Sequence, residues 1–158
     1  MSLKVFSASG QTSSIPAEGF FTVAIRTGIE PVVLLDLAFA FGTGTASTAG
    51  NVTLWESPTG LVAGGAIPSF KMDRNAAHVP TMTLEGGNTI ATPGVQAGAT
   101  MYYRGVSTVG IKGTPVLCRR LKPNTNYVLR IQNNDAAAQV ADIYIAWYEG
   151  PEEYPLGV

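Results

Sequence analysis

A chain of 158 residues and 16.5 kDa has room for one domain with its own core. Only 13% of its residues are charged, its formal net charge is −1, and 46% are hydrophobic, with 18 glycines and 10 prolines. That balance excludes a coiled coil, a disordered chain and a nucleic-acid binder that works by neutralising phosphates.

In chain order, residues 1–11 carry one lysine and no long apolar run, so no signal peptide is expected. Residues 7–16 are rich in Ser, Thr and Gly and read as an arm. Residues 20–26 alternate, with Phe21, Val23 and Ile25 on one side and Thr22, Ala24 and Arg26 on the other. That is the pattern of a half-buried strand. Val33, Leu35, Leu37, Phe39 and Phe41 continue the alternation, and their neighbours are also mostly apolar. A strand apolar on both faces is either central or covered by another subunit. At ten residues, with Asp36 inside, this run is too short to span a membrane.

Residues 42–50 read as a flexible loop, 51–56 as a short strand and 57–60 as a turn. Residues 70–75 are mostly polar, 78–84 alternate weakly, 85–88 form a turn, and 89–99 are irregular. Strands are expected within 100–104 and 114–121, then a turn at 122–126, where Pro123 fixes one dihedral and Asn124 tolerates the left-handed region. Tyr127, Leu129 and Ile131 alternate next, and Asn133, Asn134 and Asp135 turn the chain again. The last strand, 140–149, puts Ile143, Ile145 and Trp147 on one face and Tyr144 and Tyr148 on the other. The short run Ala136 to Ala138 is too brief for a helix. Many short strands separated by turns predict an all-β sandwich or barrel. The expected division is an N-terminal arm (1–16), a β-sandwich domain (17–149) and a C-terminal tail (150–158).

Nothing in the pattern assembles a catalytic centre. A glycosidase needs two carboxylates roughly 5–9 Å apart. Glu56 beside Trp55, and Glu149 two residues after Trp147, are the nearest imitation, and the plainer reading makes them rim charges. One histidine, His78, and one cysteine, Cys118, do not make a structural zinc site in one chain. His78 could join a ring of symmetry-related histidines in a trimer, and the plainer reading is an exposed loop or strand-edge residue. Asn133 to Asp135 is a weak match to a calcium loop. Cys118 has arginine neighbours, but adjacent strand residues point apart, so an inert, half-buried thiol is expected. No phosphate-cradling glycine loop and no nucleophile elbow occurs. No enzyme activity, cofactor or metal is therefore expected. Arg119, Arg120 and Lys122 form the one dense basic cluster, too small for strong nucleic-acid binding and suited to an interface. The tryptophans and tyrosines are candidates for core, subunit seam or glycan platform.

Two stretches carry more than periodicity. One is Val52-Thr53-Leu54-Trp55-Glu56-Ser57-Pro58-Thr59, followed by Gly64 to Pro68 and Asp73-Arg74-Asn75. The other is Leu121-Lys122-Pro123-Asn124-Thr125-Asn126-Tyr127-Val128-Leu129-Arg130-Ile131 with Asn133-Asn134, closing on Ile143 to Glu149. Together they resemble small structural proteins of tailed bacteriophage particles, of the capsid decoration or cement type. In that group an L-K-P-N-T-x-Y turn leads to a strand ending in W-Y-E. The resemblance covers about a third of the chain, leaves residues 89–113 unmatched, and transfers no catalytic residue.

The resemblance implies a jelly-roll-like antiparallel β-sandwich, a homotrimer, and the major capsid protein as partner. It implies a place on the capsid surface of the virion, and in the host cytoplasm during assembly, with no direct contact to nucleic acid or membrane. The alternative is a receptor- or glycan-binding domain of a tail fibre or tailspike, and a secreted carbohydrate-binding module is a third class. The interface candidates are Phe6, Ile15, Tyr144, Tyr148, Arg119 and Arg120.

Overall fold

The computed structural model describes residues 4–42, 48–74, 77–105, 112–114 and 119–150. Among them are thirteen strands and no helix. In chain order these are β1 (Val5–Gln11), β2 (Phe20–Arg26), β3 (Val32–Gly42), β4 (Thr48–Glu56) and β5 (Gly65–Ile67). They continue with β6 (Ser69–Lys71), β7 (Thr83–Gly86), β8 (Val95–Gln96) and β9 (Met101–Gly105). Last come β10 (Lys112–Thr114), β11 (Arg119–Leu121), β12 (Asn126–Asn133) and β13 (Val140–Glu149).

The strands form two antiparallel sheets around one core. The first runs β10-β3-β13-β1-β6, with β11 also paired to β3. The second runs β5-β7-β2-β12-β4-β8, with β9 also paired to β4. Alternation drives the packing, because every second side chain of a strand faces the same way. Phe6, Leu37, Phe39, Ile143, Ile145 and Trp147 line the core from the first sheet. Val23, Ile25, Val52, Leu129 and Ile131 meet them from the second. Trp147 is fully buried, and its ring centroid lies 5.8 Å from that of Phe6.

The structure differs from the expected alternation in β3. Leu37 and Phe39 face the core as expected, but the register with β13 shifts between Ala146 and Trp147. Asp36 opposes Ala146 and Leu34 opposes Trp147, which leaves Leu35 as an unpaired bulge residue. One extra residue inverts the side of everything beyond it. Val32 and Leu34 are therefore the core residues, while Val33 faces out opposite Tyr148.

Residues 5–11, expected within an arm, instead form β1 in the middle of the first sheet. The polar residues there are the outward half of an alternation whose inward half is Phe6, Ala8 and Gly10, so composition alone misread them. Residues 151–158 of the expected tail, and Cys118, lie outside the described residues.

Two long connections link opposite edges of the second sheet. Residues 57–64 run from β4 to β5, and residues 87–94 return from β7 to β8 beside β4. Bridges at Thr59↔Thr92 and Val62↔Thr89 join them. Ala24 and Val128 point away from the core, by alternation with Val23 and Leu129, yet both are fully buried. The outer face of the second sheet is thus covered at these two residues. No helix among the described residues is long and apolar enough to cross a membrane.

Candidate functional site

The outer face of the first sheet is covered only in part: Ala38, Ala146, Val33 and Tyr148 are buried, whereas Ser9, Gln11 and Asp142 are exposed. Alternation turns Ser9 and Gln11 of β1, Asp142 and Tyr144 of β13, and Asp36, Ala38 and Ala40 of β3 away from the core. The register sets them in rows. Ala146 stands beside Asp36, then Ser9, Tyr144 and Ala38 share a row, then Gln11, Asp142 and Ala40. Small side chains on both sides of Tyr144 leave a groove of about 750 Å³, with Asp36 and Asp142 in its lining. That volume falls in the range of small-ligand sites, roughly 300–1,000 Å³.

The two carboxylates are not equivalent. Gln11 Nε2 donates to Asp142 Oδ1 at 3.0 Å. Asp36 makes no hydrogen bond or ion pair with any described residue. The groove therefore carries two negative charges and, among the described residues, no cation.

The expected interface residues fall into different places. Phe6 and Ile15 are interior, each 1% exposed; Phe6 packs on Trp147, and Ile15 is held by a bridge to Gln139. Tyr148 is 8% exposed, on the outer face between Val5 and Val33. Tyr144 is half-buried in the groove. Arg120 is exposed on β11 opposite Val33, beside a smaller hollow with Pro31, Lys122 and Pro123. Arg119 opposes Leu34, and its side chain lies outside the described residues. The structure thus brings Tyr144 together with Asp36, Asp142 and Gln11, none of which the residue patterns had singled out. The available signal was register, since Asp36 and Asp142 share the outward parity of Tyr144.

Catalytic pairings dissolve in the same geometry. Glu56 ends β4 in the second sheet and is paired with Lys122. Glu149, expected at the rim, is 1% exposed. Its carboxylate accepts from Thr81 N at 2.8 Å, Thr81 Oγ1 at 2.8 Å, Met82 N at 2.9 Å and Trp147 Nε1 at 2.9 Å. Parity turns residue 149 inward with Trp147, and four converging donors replace the water it loses. It fastens residues 81–82 to the end of the first sheet.

Asn133 is also structural. Its side chain is fully buried, donates to the carbonyls of Ile15, Pro16 and Ala137, and accepts from Asp135 N at 2.9 Å. That network occupies the residues read as a weak calcium loop. Among the described residues no group of three His, Cys, Asp or Glu side chains is placed to hold a metal ion. His78 is half-buried in the connection before β7.

Trp147 has no exposed surface, and Trp55 is half-buried with its indole N–H donating to Thr53 Oγ1 at 2.8 Å. On the second sheet Glu85 is held by Arg26, Asn88 and Gly64 N. The hydrogen bond from Arg26, followed by that from Asn88, keeps the Glu85 carboxyl below its ordinary pKa.

No family model matches the chain, and no curated protein matches it.

Proposed function

We propose that the chain is a non-enzymatic virion structural protein, a jelly-roll-like β-sandwich that decorates and stabilises a bacteriophage capsid. In this reading it acts as a homotrimer on the major capsid protein. The observation that carries it is the outer face of the first sheet. Small side chains, Tyr144 and Tyr148 cover that face, with Asp36 and Asp142 as its charges on β1, β3 and β13. A surface so poor in charge loses little hydration energy when another protein covers it. Phe70 and Met72, 60% and 55% exposed at the β6 edge, extend the apolar area. The resemblance of the two motif stretches to capsid decoration proteins points the same way.

The second reading is a receptor- or glycan-binding domain of a tail fibre or tailspike. It draws on Tyr144 lying between two carboxylates in a groove, the arrangement on which a sugar ring stacks. Neither tryptophan lines that groove, which favours assembly.

A density map of intact particles carrying the protein separates the two. The capsid reading expects three-fold density on the outside of the head. Density confined to the tail supports the receptor reading and overturns the first.

A further inference from the structure

We infer that the groove on the first sheet seats an extended basic segment of a partner protein, with two basic side chains four residues apart. This deepens the assembly reading and rests on it for the identity of the partner; the groove's preference for cations stands on its own geometry.

Asp36 and Asp142 lie in rows four residues apart along β13, with Tyr144 in the row between. At about 3.3 Å per residue, that separates them by roughly 13 Å along the strands. An extended chain spans the same distance in four residues, and its positions i, i+2 and i+4 project to one side. A segment laid along the groove therefore offers residue i to one aspartate, i+2 to the Tyr144 ring and i+4 to the other. The floor permits this close approach because Ser9, Ala38 and Ala40 are small. Asp36 has no partner among the described residues, and Gln11 leaves Asp142 further acceptor positions. A neutral sugar would meet the hydrogen-bonding capacity of the site but leave both charges uncompensated. Arginine or lysine meets both, and the Tyr144 ring offers a cation an additional favourable face.

The probe is the capped peptide Arg-Gly-Leu-Gly-Arg, titrated into the full chain and followed by NMR. Its comparators are the Glu-Gly-Leu-Gly-Glu peptide, a variant with the two arginines adjacent, and a panel of neutral oligosaccharides. The expected result is shifts confined to the groove, at Asp36, Ala38, Ala40, Asp142 and Tyr144, with the spaced basic peptide, and none with the acidic one. Binding should weaken between about 0.05 M and about 0.5 M salt as the charges are screened. The Asp36→Asn/Asp142→Asn double variant should bind about tenfold more weakly, as expected for two part-exposed ion pairs. Asparagine keeps the shape and the acceptor for Gln11, and an unchanged amide spectrum elsewhere shows that the variant is folded.

Equal binding of acidic and basic peptides, or oligosaccharide binding at the same residues, overturns the inference. Indifference to arginine spacing overturns the two-point geometry. Capsid binding by the wild-type chain without peptide binding overturns the groove assignment and leaves the capsid reading intact. Peptide binding without capsid binding supports the groove and overturns the capsid reading.

Discussion

Glu149 shows how a single side chain in this fold serves as a fastener. Four donors converge on one buried carboxylate, two of them backbone amides of residues 81–82. Glu149→Ala strands those donors away from water, at about 1–3 kcal/mol for each left unsatisfied. Urea unfolding should show a loss of at least about 3 kcal/mol, and Glu149→Gln a smaller one because one oxygen survives. Asn133→Leu should cost about 2–3 kcal/mol by the same reasoning, since the Ala137 carbonyl and the Asp135 amide lose their partner, while the Ile15 and Pro16 carbonyls keep the amides of Gln139 and Gly19. Neither role was legible beforehand. Glu149 ends a strand and Asn133 opens a turn, and both positions are normally wet in a sequence reading. What decides their burial is the path of residues 12–19 and 77–82, which no local pattern encodes.

Glu85 adds an acid-side pH dependence to stability. Its folded pKa lies below the ordinary 4.5, so the folded chain holds this carboxylate more tightly in its charged form. That contribution is present above about pH 4.5 and is lost as pH falls through the lower folded value. The unfolding free energy of Glu85→Gln should therefore fall less steeply on acidification than that of the wild type.

At the scale of elements, the bulge in β3 is the most consequential departure from simple alternation. Leu35 is the extra residue, and it reverses the inward set from Leu37 and Phe39 to Leu34 and Val32. Deleting Leu35 joins Leu34 directly to Asp36 in regular alternation, so Leu34 and Val32 keep their inward side and their places opposite Trp147 and Glu149. Thermal unfolding should therefore change little on this deletion, and a loss of about 1.5–3 kcal/mol for each of Leu34 and Val32, as if both had turned outward, would contradict the bulge. The existence and extent of β2, β12 and β13 were plain from their period-two patterns. The bulge was hidden because residues 32–35 are apolar at every position, so either parity satisfies the pattern. β1 was hidden for the opposite reason: its outward half, Ser7 and Ser9, resembles loop composition.

The connection from β7 to β8 depends on backbone shape at Gly94. Its φ is +92°, and a Cβ there would stand 2.1 Å from the Glu56 carbonyl oxygen. Gly94→Ala should destabilise by more than about 1 kcal/mol. It should also speed hydrogen exchange at the Ala97 amide, which donates to the Leu54 carbonyl, before the core opens.

At the scale of the whole molecule, the two sheets are dressed differently. On the second, Ala24 and Val128 are buried on the outer face and the Arg26–Glu85 and Lys122–Glu56 pairs lie beside its strands, while the Lys4–Glu30 pair lies just ahead of β1 and β3 of the first. The first presents the groove, where Tyr144, Gln11, Asp36 and Asp142 stand among small residues, and beyond it Val33, Tyr148 and the exposed Arg120 on β11. The paucity of charge, 13% of the chain, is thus unevenly spent, and the first sheet is where it leaves a surface suited to burial. This asymmetry was not legible in composition, because it depends on which strands neighbour one another. The central claim is that this face joins the chain to a capsid lattice and strengthens it. The most direct test compares the temperature at which DNA-filled particles release their genome with and without the protein. A higher release temperature with the wild type, reduced for the Asp36→Asn/Asp142→Asn variant, is the predicted result. Identical release temperatures with and without the protein would contradict the account.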